Sequence, residues 1–291
     1  MALKNEAKFL WSLVYQHSGQ PGQVFADVDD LRALDKTFEA KGKMWFILSS
    51  VFTLLCLAGV ILSIVLEGHP IGLALAGFAF VVAVPCVVMR LKLGKLNTED
   101  RRYELLEGLL QLLQTDMAPE SRMRVQLVLS RPNVKKKFSH NGESGAWTVK
   151  YYTDTWLKLE GRFLDGTAFL VEVVERFQER SRWATSRSGK KKRKTKTKSA
   201  TVFRLRLKPK AKRYQHLSEI GANAQGALQL PEAVQTKGLQ VEDGGLSVKV
   251  QSKADWQAGE GKQVVAMMFI SLYQILNLSR AITKPGSQGS A

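Results

Sequence analysis

The amino-acid sequence predicts an α+β protein: a two-helix transmembrane hairpin, then a cytoplasmic domain with an antiparallel sheet, flanking helices and a long basic β-hairpin. Three observations predict this class. Two long apolar segments carry no charge, the hydrophobic period changes from helical to alternating after residue 121, and one later segment holds most of the positive charge. The predicted divisions are N-terminal cytoplasmic helices (1–43), the transmembrane hairpin (44–91), the cytoplasmic domain (92–284) and a flexible tail (285–291).

The segment before the first apolar run predicts two short helices. Apolar residues up to Val14 give the first helix one apolar side, and the Gly- and Pro-containing stretch 18–22 ends it. Asp27 is a suitable N-cap for the second helix. We therefore expect two helices separated by a loop, with the membrane segment beginning only at residue 44.

The two apolar segments have the length and composition of membrane spans. Residues 44–66 are 23 positions without a charge, and residues 70–89 are 20 more. At about 1.5 Å per helical residue, either segment crosses a hydrocarbon layer of about 30 Å. Both cysteines, Cys56 and Cys86, fall inside these segments, so the sequence predicts no disulfide framework.

Basic residues flank the pair of spans but do not occur between them. Lys41 and Lys43 precede the first span, Arg90 and Lys92 follow the second, and the connection 67–69 holds neither Lys nor Arg. Cytoplasmic flanks of membrane helices are enriched in Lys and Arg. The sequence therefore predicts two spans with both termini in the cytoplasm.

Small residues recur along each span at steps of three and four, which place them on one helix face. Such faces let two backbones approach closely inside a bilayer. The pattern predicts either that the two faces join the hairpin or that one face docks a neighbouring subunit. The small residues are Ser49, Thr53, Cys56, Gly59 and Ser63 in the first span and Gly72, Ala76, Ala79, Ala83 and Cys86 in the second.

The remaining chain alternates between helical and strand patterns. A leucine stripe predicts a helix at 98–115, and a second apolar stripe predicts one at 263–282. Asp165 and Gly166 predict a hairpin turn, and Asp154 is interpreted as a strand-end residue. The predicted strands are residues 123–130, 147–154, 155–164, 167–177, 201–208, 239–242 and 246–251.

Residues 176–213, here called the basic arm, hold 17 Lys and Arg and one acidic residue, so they account for nearly all of the formal net charge of +17. Strand-forming sequences flank Gly189, which predicts a long antiparallel hairpin with this glycine near its tip. Polyanions are the ligands that such a concentration of charge attracts. The predicted binding residues are Arg187, Lys190, Lys191, Lys192, Arg193, Lys194, Lys196, Lys198, Arg204, Arg206 and Lys208.

Four roles for the basic arm are compatible with the sequence. The arm binds anionic lipid headgroups, it binds nucleic acid through phosphates, it docks an acidic protein or a neighbouring subunit, or it is a solvated loop without a ligand. The preferred hypothesis is a non-enzymatic integral membrane scaffold or assembly component whose arm engages anionic lipid or an acidic partner. The alternative is a membrane-tethered sensor of nucleic acid or a nucleotide ligand that oligomerises through its spans.

Catalytic and metal-binding motifs are not found in the sequence. The four histidines lie in different segments without metal-ligand spacing, and no P-loop or Gly-x-Ser-x-Gly elbow occurs. We therefore predict no enzyme activity, no metal and no cofactor.

Overall fold

A computed structural model describes residues 12–65, 70–94, 99–211, 213–214, 217–220, 224–252 and 255–283. The tail predicted at 285–291 and the connection predicted at 67–69 lie outside these ranges. The chain forms two compact units, one from residues 27–99 and one from residues 12–26 together with the chain from residue 100 onward. The α+β class is confirmed, with a helical N-terminal region and an antiparallel sheet.

The first unit is built from two helices, α1 (Pro21–Val65) and α2 (Pro70–Leu93). Helix α1 starts in the second unit and continues into the first. Both helices are long and apolar enough to cross a membrane. Only 17% of the apolar window of α1 and 28% of that of α2 is buried. Large apolar side chains therefore cover the outside of this unit.

The prediction of two short N-terminal helices separated by a loop at 18–22 is wrong over the described residues, and most of the first predicted helix lies outside them. Val14 begins a strand, β1 (Val14–Gly19), and the residues before 12 lie outside the described ranges. Helix α1 begins at Pro21 and runs without a break through Asp27 and through the predicted boundary at residue 44. Proline suits the first turn of a helix because its missing N–H is not needed there, so Pro21 rather than Asp27 marks the start.

The second unit contains an antiparallel sheet of eight strands in the order β1-β2-β4-β5-β6-β8-β7, with β3 also pairing with β4. Strand β4 is long enough to hold two neighbours on one edge, β3 along its first half and β2 along its second. The remaining strands are β2 (Met123–Val128), β3 (Phe138–Ser144), β4 (Trp147–Arg162), β5 (Ala168–Thr185), β6 (Lys191–Lys208), β7 (Gln235–Glu242) and β8 (Gly245–Ser252).

Two strand predictions are corrected by the structure. The predicted strands 147–154 and 155–164 are one strand, β4, with an irregular register between Thr155 and Leu157 that gives it an extra residue, Trp156. Asp154 therefore lies within a strand and not at its end. Strand β3 was not predicted, because its polar sequence carries no apolar alternation. The turn predicted at Asp165 and Gly166 is confirmed, with Gly166 at a φ of 85°.

Helices α3 (Asp100–Gln114) and α5 (Ala258–Thr283) pack against each other, and α5 packs on β6 and β8. We call the sheet face that carries most of the buried strand residues the inner face and the opposite one the outer face. On the inner face, Trp156 and Trp256 stack with centroids 6.4 Å apart. The Trp256 indole N–H donates to Thr201 Oγ1 at 2.8 Å. A short helix, α4 (Leu217–Ile220), also contacts α5.

A buried ion cluster joins helix α3 to the centre of the sheet. Arg102 Nη2 donates to Asp154 Oδ2 and to Glu175 Oε2, both at 3.2 Å. Its Nη1 donates to the Val128 carbonyl at 2.7 Å. Lys137 Nζ lies 2.9 Å from Asp154 Oδ2. Arg102, Asp154 and Glu175 are at most 3% exposed, so these charges are stabilised by one another and not by water.

Burial lowers the pKa of Lys137 below its ordinary value, while the neighbouring Asp154 carboxylate acts in the opposite direction. The Lys137 ammonium also donates to the Ser130 and Arg131 carbonyls, at 2.7 and 3.1 Å. The cluster thus fixes the chain between β2 and β3 as well as α3.

Replacing Arg102 by alanine should destabilise the protein by about 3–5 kcal/mol, because two buried carboxylates lose the cation that they share. The matched control is Arg124→Ala, which removes an exposed arginine paired with Glu160 at 2.9 Å and should cost less than about 1 kcal/mol. Denaturation of the purified full-length chain measures both effects. Equal losses for the two variants would contradict a stabilising role for the cluster.

Candidate functional site

The distal part of the basic arm, residues 176–200, is an antiparallel ladder formed by β5 and β6, and it is called the arm from here on. The pairing is regular from Arg176 opposite Ala200 to Thr185 opposite Lys191. A turn of residues 186–190 closes the ladder, with Gly189 at a φ of 75°, which favours glycine. Arg187 and Lys190 lie in this turn.

Positive charge is segregated onto one face of the arm. Side chains alternate between faces along a strand, and directly opposed residues of paired strands share a face. The register therefore places seven basic residues and no acidic residue on the outer face of the arm. These are Arg176, Arg180 and Arg182 from β5 and Lys192, Lys194, Lys196 and Lys198 from β6.

The inner face of the arm has a different composition. It carries two of the predicted binding residues, Lys191 and Arg193, together with Trp183, whose side chain is 73% exposed. It also carries Glu179, the one acidic residue of the arm. Glu179 accepts hydrogen bonds from Asn133 Nδ2 at 2.9 Å and from the Tyr152 hydroxyl at 3.2 Å. The acidic side chain is thus held away from the lysine row.

Only the tip of the arm is a two-stranded ribbon. Strand β4 pairs with β5 as far as Ser181, whereas β8 pairs with β6 only from Thr201 onward. One edge of β6, over residues 191–200, is therefore unpaired with any strand in the described part of the chain. Lysines on such an edge also deter unwanted strand addition, which is a purely structural use for some of them.

Trp147 supports the outer face of the arm next to the tip. The Arg182 guanidinium carbon lies 4.6 Å from the Trp147 ring centroid, and Lys196 Nζ lies 5.9 Å from it. Cation–π contacts of this kind hold basic side chains in position. Trp147 and three outer-face arginines of β5 were not among the predicted binding residues, although basic residues at even positions of β5 were a usable signal for the arginines, Arg176, Arg180 and Arg182.

The outer face continues from the arm onto the body of the sheet. Three further predicted binding residues follow at even positions of β6 and lie on this outer face. They are Arg204, Arg206 and Lys208. Two buried residues, Val174 and Val202, separate them from the lysines of the arm. Seven of the predicted binding residues therefore form two groups on one face, Lys191 and Arg193 lie on the other face, and the remaining two lie in the turn.

The chemistry available at the outer face of the arm is the binding of polyanions. Alternate residues of a strand are about 6.7 Å apart, so the four lysines form an evenly spaced cationic row. No group of three or more potential metal ligands occurs within the described ranges. The row can neutralise several anionic groups at once.

Most of the small residues of the helical hairpin lie between its two helices. Ser49, Gly59 and Ser63 of α1 are buried and Cys56 is half-buried, whereas Thr53 is exposed. On α2 the buried residues are Gly72, Ala76, Ala79, Ala83 and Cys86. Thr53 Oγ1 donates to the Ser49 carbonyl and Ser49 Oγ to the Phe46 carbonyl, so these hydroxyls are satisfied within their own helix.

The closest approach of the two helices occurs at their glycines. A Cβ atom on Gly59 would lie 2.7 Å from the Ala76 backbone nitrogen, and one on Gly72 would lie 2.5 Å from the Ser63 backbone nitrogen. Both distances are shorter than any real side-chain contact, so only glycine fits. These faces are used within the hairpin, and a contact between two copies would have to use the larger outer side chains.

Comparison with known proteins identifies no relative. No protein-family model matches the chain, and neither a curated protein nor a solved structure is similar to it.

Substituting alanine for Gly72 should destabilise the hairpin by about 1–3 kcal/mol, because backbone atoms of α1 occupy the space that the methyl group needs. Gly77→Ala is the matched control on the same helix, since nothing lies within 4 Å of its added Cβ. Thermal denaturation of the full-length protein in a nonionic detergent reports both. A Gly72 variant as stable as the Gly77 variant would show that the two helices are farther apart.

Proposed function

We propose that this protein is a non-enzymatic integral membrane scaffold or assembly component whose basic arm binds the anionic headgroups of the membrane that anchors it. The observation that carries the proposal is the outer face of the arm, with seven basic residues and no acidic one. Each Lys or Arg near an anionic leaflet contributes about 1 kcal/mol, so such a face attaches firmly and in a salt-sensitive way.

The exposure of the apolar helices supports a membrane location. Ile64 is 74% exposed, Phe78 66% and Val81 68%, and similar side chains continue along both helices. A soluble core helix buries such residues, whereas a membrane helix exposes them to lipid. The buried stripe of small residues supports the same proposal, since close backbone contact joins helices in lipid.

Basic residues on both flanks support cytoplasmic placement of the arm by the positive-inside rule. The tether between membrane and domain is short. Five residues, 95–99, separate Gly94 at the end of the second apolar helix from Asp100 at the start of α3. At no more than about 3.6 Å per residue, five residues can extend over at most about 18 Å. A surface already held near lipid needs little further affinity to attach.

Nucleic-acid binding is the second candidate, and the two-stranded tip of the arm favours it. A two-stranded ribbon is narrow enough to enter a major groove about 12 Å wide. The exposed aromatic residue of the arm, Trp183, lies on the face opposite the lysine row, so base stacking and phosphate contact would require different faces. An acidic protein partner is a third possible ligand of the same lysine row.

Membrane integration predicts a specific fractionation. The full-length chain should stay in the membrane pellet after washing with high salt and with alkaline carbonate, and should be released by detergent, because its anchor is apolar and not electrostatic. Recovery in the supernatant without detergent would refute the membrane assignment.

Topology can be tested with single cysteines introduced at His69 and at Ser188. We expect a membrane-impermeant thiol reagent to label the His69→Cys variant in intact cells, and the Ser188→Cys variant only after permeabilisation. The wild-type chain, with Cys56 half-buried and Cys86 buried, is the control. Labelling of the Ser188→Cys variant in intact cells would place the arm on the outer side and end the proposal.

The role of the lysine row can be tested with two double variants that remove the same charge from opposite faces. Lys194→Gln with Lys196→Gln should weaken attachment of the arm to anionic nanodiscs roughly 10- to 30-fold, whereas Lys191→Gln with Arg193→Gln should change it much less. A fluorophore on a cysteine at Ser188, quenched by labelled lipid during a salt titration, measures attachment.

Equal losses in the two double variants would indicate diffuse attraction of a solvated loop and would refute binding by one face. Equal attachment to neutral and anionic nanodiscs would refute the lipid proposal. Tight binding of duplex DNA or RNA in place of lipid would favour the second candidate.

A further inference from the structure

A shallow cavity of about 510 Å³ lies on the body of the sheet, and none of the roles proposed for the arm accounts for it. We propose that this cavity binds a small compound carrying two or three phosphate groups. The proposal does not depend on the arm. The cavity lies on the outer face where β1, β2, β4, β5 and β6 meet, and its basic lining residues are Arg122, Arg124, Arg162, Arg206 and Lys208.

The strand register explains why a cavity forms there. Ala168 of β5 lies between Arg162 of β4 and Lys208 of β6, and Leu170 lies between Glu160 and Arg206. Neighbouring strands are about 4.8 Å apart, so the long side chains of β4 and β6 stand nearly 10 Å apart across β5. The shorter, uncharged side chains of β5 therefore form the floor of the cavity, and the longer side chains of β4 and β6 form its two walls. The wall formed by β6 is entirely basic.

Most of the positive charge in this cavity is not neutralised. Glu160 is its only acidic lining residue, and it pairs with Arg124 at 2.9 Å and with Lys158 at 3.1 Å. The four other basic lining residues have no ion pair with any residue that the structure describes, and all four are exposed. These are Arg122, Arg162, Arg206 and Lys208.

Three of the four unpaired cations are arginines, which favours phosphate over other anions. A guanidinium presents parallel N–H donors that match two phosphate oxygens, whereas a lysine acts as a point charge. Four cationic side chains from three chain segments line this one site. Their total positive charge exceeds the charge of a single phosphate dianion. The ligand chemistry that fits is a pyrophosphate or a ring bearing several phosphates, either free in solution or as the headgroup of a lipid.

The probe is inorganic tripolyphosphate, titrated calorimetrically into the full-length protein in a nonionic detergent at about 0.15 M salt. The screening length is then about 8 Å, so distant charges contribute little. We expect saturable binding at one site per chain. Arg162→Gln with Arg206→Gln should weaken that binding at least tenfold, because the two side chains stand on opposite walls.

Two matched controls separate the cavity from general charge. Arg204→Gln with Lys249→Gln removes two cations from the same outer face, where they are directly opposed in register but do not line the cavity. Lys194→Gln with Lys196→Gln removes two from the arm. Both should change tripolyphosphate affinity less than threefold, and unchanged melting temperatures should show that every variant is folded.

No saturable binding, or equal weakening by all three double variants, would overturn the proposal. Loss of binding in the arm variant alone would also overturn it, because tripolyphosphate would then bind the arm. The two proposals can fail separately. If the cavity binds tripolyphosphate but the arm does not attach to lipid, the phosphate site is supported and the proposed function is refuted.

The source of the ligand is resolved by repeating the titration in nanodiscs of equal surface charge that contain either phosphatidylinositol bisphosphate or phosphatidylglycerol. If the bisphosphate lipid weakens tripolyphosphate binding at least fivefold relative to phosphatidylglycerol, the site takes a lipid headgroup that carries several phosphates. If the two nanodiscs give equal affinity, the site takes a soluble phosphate compound. Either result, with the cavity variant defective, supports the site.

Discussion

The ion cluster around Arg102 is the interaction on which the fold of the second unit depends. Arg102 connects the first turn of α3 to Asp154 in β4 and Glu175 in β5, and Lys137 closes the cluster from the chain before β3. Glu175 immediately precedes the basic arm. Because buried charges tolerate little displacement, the root of the arm has a defined position and orientation relative to α3. A cationic ribbon with a fixed root can present one face to a ligand.

That face is a consequence of strand parity. Basic residues at even positions of both β5 and β6 would lie on opposite faces if the register slipped by one residue. The turn at residues 186–190 and the ladder above it keep the two rows on the same face. The same parity extends to the body of the sheet, where Arg206 and Lys208 stand opposite Arg162 across the low side chains of β5. One structural rule thus produces two separate cationic surfaces, a flat row and a cavity.

The helical hairpin follows a different constraint. In lipid, apolar side chains gain nothing by moving from lipid to protein, so helices associate where small residues permit close contact. The contacts of Gly59 with α2 and of Gly72 with α1 satisfy this condition, and the large side chains remain outside. The hairpin and the arm together suit a protein whose anchor is apolar and whose attachment surface is electrostatic. The two contributions respond differently to salt.

The sequence by itself determined the local features: the apolar helices, the small-residue faces, the Gly166 and Gly189 turns and most strands, because period, charge and turn chemistry are short-range properties. It did not determine β1, because that sequence also fits a helix and becomes a strand by pairing with β2. It did not determine β3, because that strand is polar and exposed. Only tertiary structure buried Asp154 in an ion cluster and brought Arg122 and Arg162 beside Arg206. Those contacts join residues that are distant in sequence. They depend on the order and the register of the strands, and no local sequence pattern encodes either.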